Sequence, residues 1–74
     1  MQDQRQPEIV YDNGTAVVRC VIGALSATAA RLKVDGALAL PDRLVLALVL
    51  ESGRQLRPAS VLWRSYDEVG IAFD

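Results

Sequence analysis

Cys20 is the only cysteine in this chain of 74 residues, and there is no histidine. Neither an internal disulfide nor the usual zinc constellations can therefore brace the fold. Apolar burial has to hold it together. A chain this short supports one core and one domain, and it retains a narrow margin over conformational entropy, so a ligand or a partner is an expected source of extra stability. The N-terminus, Met1-Gln2-Asp3-Gln4-Arg5-Gln6-Pro7, is polar and has no apolar centre of the kind a signal peptide needs. It predicts a polar segment over 1–8, a folded domain over 9–74 and a cytoplasmic address, where a lone thiol stays reduced. The longest apolar run, Leu44 to Leu50, is far short of the roughly 20 residues of a spanning helix, so no membrane span is expected. A formal net charge of −1 excludes a nucleic-acid duplex as the expected partner, because phosphate binding needs a basic surplus.

The punctuation of the chain is that of short antiparallel strands. Asp12-Asn13-Gly14 separates Ile9-Val10-Tyr11 from Val17-Val18, and Asn-Gly supplies the positive φ angles of a two-residue hairpin turn. Thr15 to Ile22 reads as one strand, with Val18, Cys20 and Ile22 on one side of the pleat and Val17, Arg19 and Val21 on the other. Ala30, Leu32 and Val34 alternate with Arg31 and Lys33, the period of a half-buried strand. Leu44 to Leu50 sets leucines on one face and Val45, Ala47 and Val49 on the other. Glu51 to Arg54 reads as a turn, and Gln55 to Trp63 as a strand in which Pro58 marks an edge position or a bulge. Ser65 to Glu68 turns again into Val69-Gly70-Ile71-Ala72-Phe73, with Val69, Ile71 and Phe73 inward. The count is six strands. Ser26 to Leu32 also contains good helix formers behind a capping serine, so an α+β fold with one helix competes with the all-β reading.

From Cys20 onward the order of features is more specific. Cys20-Val21-Ile22, Leu25-Ser26, Ala30-Arg31-Leu32, Leu40-Pro41, the apolar strand, Val61-Leu62-Trp63-Arg64 and Val69-Gly70-Ile71-Ala72-Phe73 follow one another in a sequence that resembles the PilZ domain family. The resemblance covers about the last three-quarters of the chain and implies an all-β fold: a small six-stranded antiparallel barrel, here lacking the C-terminal helix. It also implies a role in reception of the bacterial second messenger cyclic di-GMP. The family's ligand chemistry uses an Arg-x-x-x-Arg segment and an Asp/Asn-x-Ser-x-x-Gly segment. Arg5 stands alone, with Met1 and Ile9 at the positions four away, and the second segment matches Ala24-Leu25-Ser26-Ala27-Thr28-Ala29, where only Ser26 survives.

Paired arginines in such a site grip phosphates and stack on bases, while the Asp or Asn reads a base edge. Charge-assisted hydrogen bonds contribute about 1.5–3 kcal/mol each, so losing two or three implies weak or absent cyclic di-GMP binding through Arg5 and Ser26. The expected function is that of a regulatory or adaptor module working through protein contacts, with a working cyclic di-GMP receptor as the alternative. An SH3-like or OB-like barrel binding peptide or single-stranded nucleic acid is the second alternative, for which Tyr11 and Tyr66 are the candidate surface aromatics. Val45, Ala47 and Val49 form the expected interaction surface, for a protein partner or a second copy, because a small domain rarely leaves such a stripe uncovered. Trp63 is expected in the core with Val61, Ile71 and Phe73, and Cys20 as a small buried hydrophobe. With no histidine and a single lysine, Lys33, without a serine partner, nothing nominates a nucleophile; no enzyme, cofactor or metal is expected.

Overall fold

A computed structural model describes residues 6–74; Arg5 therefore lies outside the described residues. The chain is all-β apart from one 3-10 turn, Ala37–Ala39. Its strands are β1 (Glu8–Tyr11), β2 (Ala16–Arg19), β3 (Val21–Leu25), β4 (Ala29–Lys33), β5 (Arg43–Leu50), β6 (Gly53–Arg64) and β7 (Glu68–Phe73). They form one antiparallel sheet in the order β2-β1-β5-β6-β7-β4-β3, curled into a half-barrel. The helical alternative for Ser26 to Leu32 is replaced by a turn and β4, where Ala30, Leu32 and then Val34 are buried while Arg31 and Lys33 are exposed.

Seven strands rather than six arise because the run Thr15 to Ile22 changes partner at Cys20. Residues 16–19 pair with β1, in the register Glu8↔Arg19 to Tyr11↔Ala16. From Val21 onward the same chain pairs with β4, beginning at Val21↔Lys33. At the corner the Cys20 N–H donates to the Pro7 carbonyl at 3.1 Å, and the Cys20 side chain is buried. The alternation of side chains passes through the corner unbroken: Val18, Cys20 and Ile22 all face the core.

The first hairpin also differs in detail. Asp12 and Asn13 both adopt positive φ, at 54° and 56°, and Gly14 N–H donates to the Tyr11 carbonyl at 3.1 Å. The turn is thus centred one residue earlier than Asn13-Gly14, and Gly14 takes a third left-handed position at φ 85°. Asp and Asn tolerate that region better than other side chains, which is why the sequence permits the shift.

Pro58 lies in β6 opposite Val45, with strands on both sides of β6. Its carbonyl accepts from the Asp74 N–H at 3.0 Å, where β7 has just ended. Because N–H and C=O of one strand residue point to the same side, the missing donor faces the place where β7 stops, and the β5 ladder is intact. Pro58 marks an edge local to one end of a central strand.

The core consists of Ile9, Leu32, Leu46, Val69, Ile71 and Cys20, fully enclosed, with Leu44, Val34, Leu40 and several alanines around them. Arg64 pins the connector between β4 and β5 to β6: its Nε donates to the Leu40 carbonyl at 3.0 Å and its Nη2 to Asp42 at 2.6 Å. No helix among the described residues is long and apolar enough to cross a membrane.

Burial, and secondarily the charge of Glu8, push the Cys20 thiol up from 9.0 to about 11. Between those pH values the unfolded chain releases a proton that the folded chain keeps. The contribution to stability is therefore complete below pH 9 and is lost as pH rises toward about 11, by roughly 2–3 kcal/mol in all. Urea unfolding across that range should show this decline in the native protein and a shallower one in Cys20→Ala; equal slopes would show that the thiol is not held protonated by its surroundings.

Candidate functional site

Two irregularities in pairing re-aim side chains on the outer wall. Between β6 and β7 the register shifts from Val61↔Ile71 to Trp63↔Gly70, so Leu62 is the extra residue of a bulge. Val61 and Ile71 face inward, and Gly70, one residue earlier than Ile71, faces outward; Trp63 goes with it. The expectation that Trp63 fills the core is corrected by this bulge: the indole is 43% exposed and lies over Gly70. A Cβ at Gly70 would clash with Trp63 Nε1, Cε2 and Cδ1 of the indole. A glycine inside a strand often marks such a close approach.

The second shift is between β3 and β4, where Ile22↔Leu32 is followed by Ala24↔Arg31, leaving Gly23 unpaired. It turns Ala24 outward, and a Cβ at Gly23 would lie 3.3 Å from Arg31 Nε. Both shifts serve one row. Trp63, Gly70, Arg31 and Ala24 are neighbours across β6, β7, β4 and β3. A cleft of about 290 Å³ opens at this row, lined also by Leu25, Ser26, Ala29, Ala30, Leu62 and Ile71. Arg31 is the one charged residue among these, and it is held only loosely by Glu68, 3.9 Å away.

Ser26 is thus brought to the cleft, but its hydroxyl is engaged. Oγ accepts from the N–H groups of Ala29 at 3.1 Å and Thr28 at 3.3 Å, and donates to the Ala29 carbonyl at 3.2 Å. One donor and two acceptor positions are all a hydroxyl has, so the β3–β4 turn uses Ser26 completely. No family model matches the chain, and no curated protein or solved structure matches it. The cleft offers an aromatic wall, one guanidinium, a serine hydroxyl already engaged in its own turn, and an otherwise apolar lining.

The stripe Val45, Ala47, Val49 lies on a different arc of the wall, on β5 between β1 and β6. Ala47 does not reach solvent. It sits between Glu8 of β1 and Leu56 of β6, and the Glu8 carboxylate reaches across β5 to Arg54 at 3.6 Å. Val45 and Val49 remain half-buried. The apolar surface runs across the strands instead of along β5: Val17, Val10, Val45 and Pro58 are consecutive partners on β2, β1, β5 and β6. Of the two tyrosines, Tyr11 packs against the core, whereas Tyr66 is exposed in the turn before β7.

Sequence alternation places Trp63 inward because a bulge leaves no trace in periodicity. Gly70, within an otherwise apolar strand, is the available signal for a ring lying on the sheet. Gly70→Ala should destabilise the domain by about 1–3 kcal/mol by displacing the indole, with a red shift in tryptophan emission. In a Trp63→Ala background the same change should cost little; a penalty unchanged by Trp63→Ala in denaturant titrations would refute the stacking.

Proposed function

We propose that this domain is a PilZ-like regulatory or adaptor module of bacterial cyclic di-GMP signalling that acts through protein contacts and has lost most of its grip on the nucleotide. The observation that carries the reading is the state of Ser26. The one surviving residue of the Asp/Asn-x-Ser-x-x-Gly segment spends its hydroxyl on its own turn. Ala24 and Ala29, at the positions of the acidic or amide residue and the glycine, bring no polar side chain to the same cleft. A nucleotide there would meet Arg31 and the face of Trp63, and little that reads a base edge or clamps two phosphates.

The protein-contact half of the reading is supported by the outer row Val17, Val10, Val45 and Pro58. Together with Leu56 and Val49 it forms an apolar face on the arc β2-β1-β5-β6. The cleft and this face lie on different arcs of the wall, so occupation of one leaves the other open.

One observation favours the receptor reading: Trp63 and Arg31 flank Gly70 in a single row, an arrangement suited to stacking a planar base and holding an anion. Trp63 is the only tryptophan, so its emission reports on the cleft directly. Titration with cyclic di-GMP at near-physiological salt should leave this emission without a saturable change, and Ala24→Asp with Ala29→Gly should introduce one. Saturation in the micromolar range by the unaltered protein, abolished by Arg31→Ala, would replace the adaptor reading with the receptor reading.

A further inference from the structure

We infer that the apolar face on β2, β1, β5 and β6 is occupied by a second copy of this chain, packed face to face about a two-fold axis that runs along the strands between β1 and β5. The inference rests on the protein-contact reading and names its partner. An axis in that position carries each strand of one copy onto a counterpart in the other: β1 onto β5 and β2 onto β6. Val10 then meets the other copy's Val45, and Val17 meets its Pro58. The protruding member of the row, Val17, is 55% exposed, and it lands on the flat pyrrolidine ring.

Charge gives the same answer. Asp12, in the turn just past β1, and Arg43, at the start of β5, both border a depression of about 260 Å³ with Val10, Val45 and Pro58. The same two-fold operation sets Asp12 of each copy opposite Arg43 of the other. An axis running across the strands, along the apolar row, would instead set Asp12 against the carboxylate of Glu8. Within the chain Glu8 is paired with Arg54, while the Arg43 guanidinium donates to Asp74 and Ser60, so Asp12 of a second copy approaches an arginine already held in place on its own surface. A copy brings a matching apolar row and an acidic group toward Arg43 on each side of the axis.

The dimensions decide how tight such a dimer is. Four strands at about 4.8 Å and three outward rows at about 7 Å give a face of roughly 20 by 20 Å. Two copies then bury on the order of 800–1,000 Å², below the roughly 1,200 Å² of stable specific interfaces and in the range of weak, transient encounters, so the dimer depends on concentration. Sheets packed this way keep their strands within about 30° of each other, which the axis along the strands provides.

Sedimentation equilibrium from about 5 µM to about 500 µM should show the mass rising from the 8.0 kDa of one chain toward twice that value. Val17→Lys should weaken association at least tenfold while leaving circular dichroism and the unfolding midpoint unchanged. Leu38→Lys, at an exposed position off this face, should leave association as it was, and Asp12→Asn should reduce its salt dependence. A native protein that stays monomeric throughout, or a Val17→Lys variant that dimerises as well as the native protein, overturns the inference. A photo-crosslinker at position 17 separates the two levels of the claim. Capture of a different chain would overturn self-association while sparing the protein-contact reading, and absence of any crosslink in a monomeric protein would remove both.

Discussion

The corner at Cys20 is the constraint on which the rest of the molecule depends. One strand leaves β1 and joins β4 within a single residue, so a sheet that would otherwise stay open is drawn round on itself. The residue at that point must be small, apolar and able to spare its N–H for Pro7. Cysteine meets these conditions as a compact hydrophobe, and its burial, which raises the thiol's pKa, also keeps it unreactive. Enclosure of Ile9, Leu32, Leu46, Val69 and Ile71 follows from the curl, in a chain with no disulfide and no histidine to substitute for it.

The curl also decides what the outer wall presents. A regular barrel would alternate inward and outward residues along every strand, with Trp63 inside beside Val61. Bulges at Leu62 and Gly23 break the alternation at two places on one arc, and the residues they turn outward meet in one row around Gly70. The neighbouring arc is regular and therefore presents whole rows, one of them apolar from β2 to β6. The cleft and the flat face are thus the irregular and the regular halves of one sheet. On the proposed reading the flat face is the contact surface, while the cleft carries one guanidinium and few other polar groups that could hold a nucleotide.

Most of the strands are legible in the sequence because alternation is a local property. Arg31 and Lys33 between buried neighbours and the inward trio Val69, Ile71 and Phe73 hold in the structure, and the leucine face holds from Leu44 to Leu48, its last member Leu50 being exposed at the end of β5. The features that escape are those that alternation does not encode. A change of partner at Cys20 leaves the in-and-out pattern intact, so two strands look like one. A bulge at Leu62 inverts the pattern without altering composition. Alternation reads Ala47 as surface because its position faces outward, but the ion pair between Glu8 and Arg54, from opposite halves of the chain, passes over β5 and depends on a register that no single strand specifies. For the site, Ser26 is found from the sequence, whereas the engagement of its hydroxyl requires the geometry of the turn.

The change of partner at Cys20, which joins the two edges of the curled sheet, is tested most directly by amide-resolved NMR on the native protein. Nuclear Overhauser contacts are expected from Arg19 to Glu8 and from Val21 to Lys33, with a Cys20 amide that exchanges as slowly as those of the core strands. Contacts that continue from Val21 and Ile22 to residues preceding Glu8, with no connection to β4, would contradict it, and with it the position of the Gly23 bulge and the cleft that depends on it.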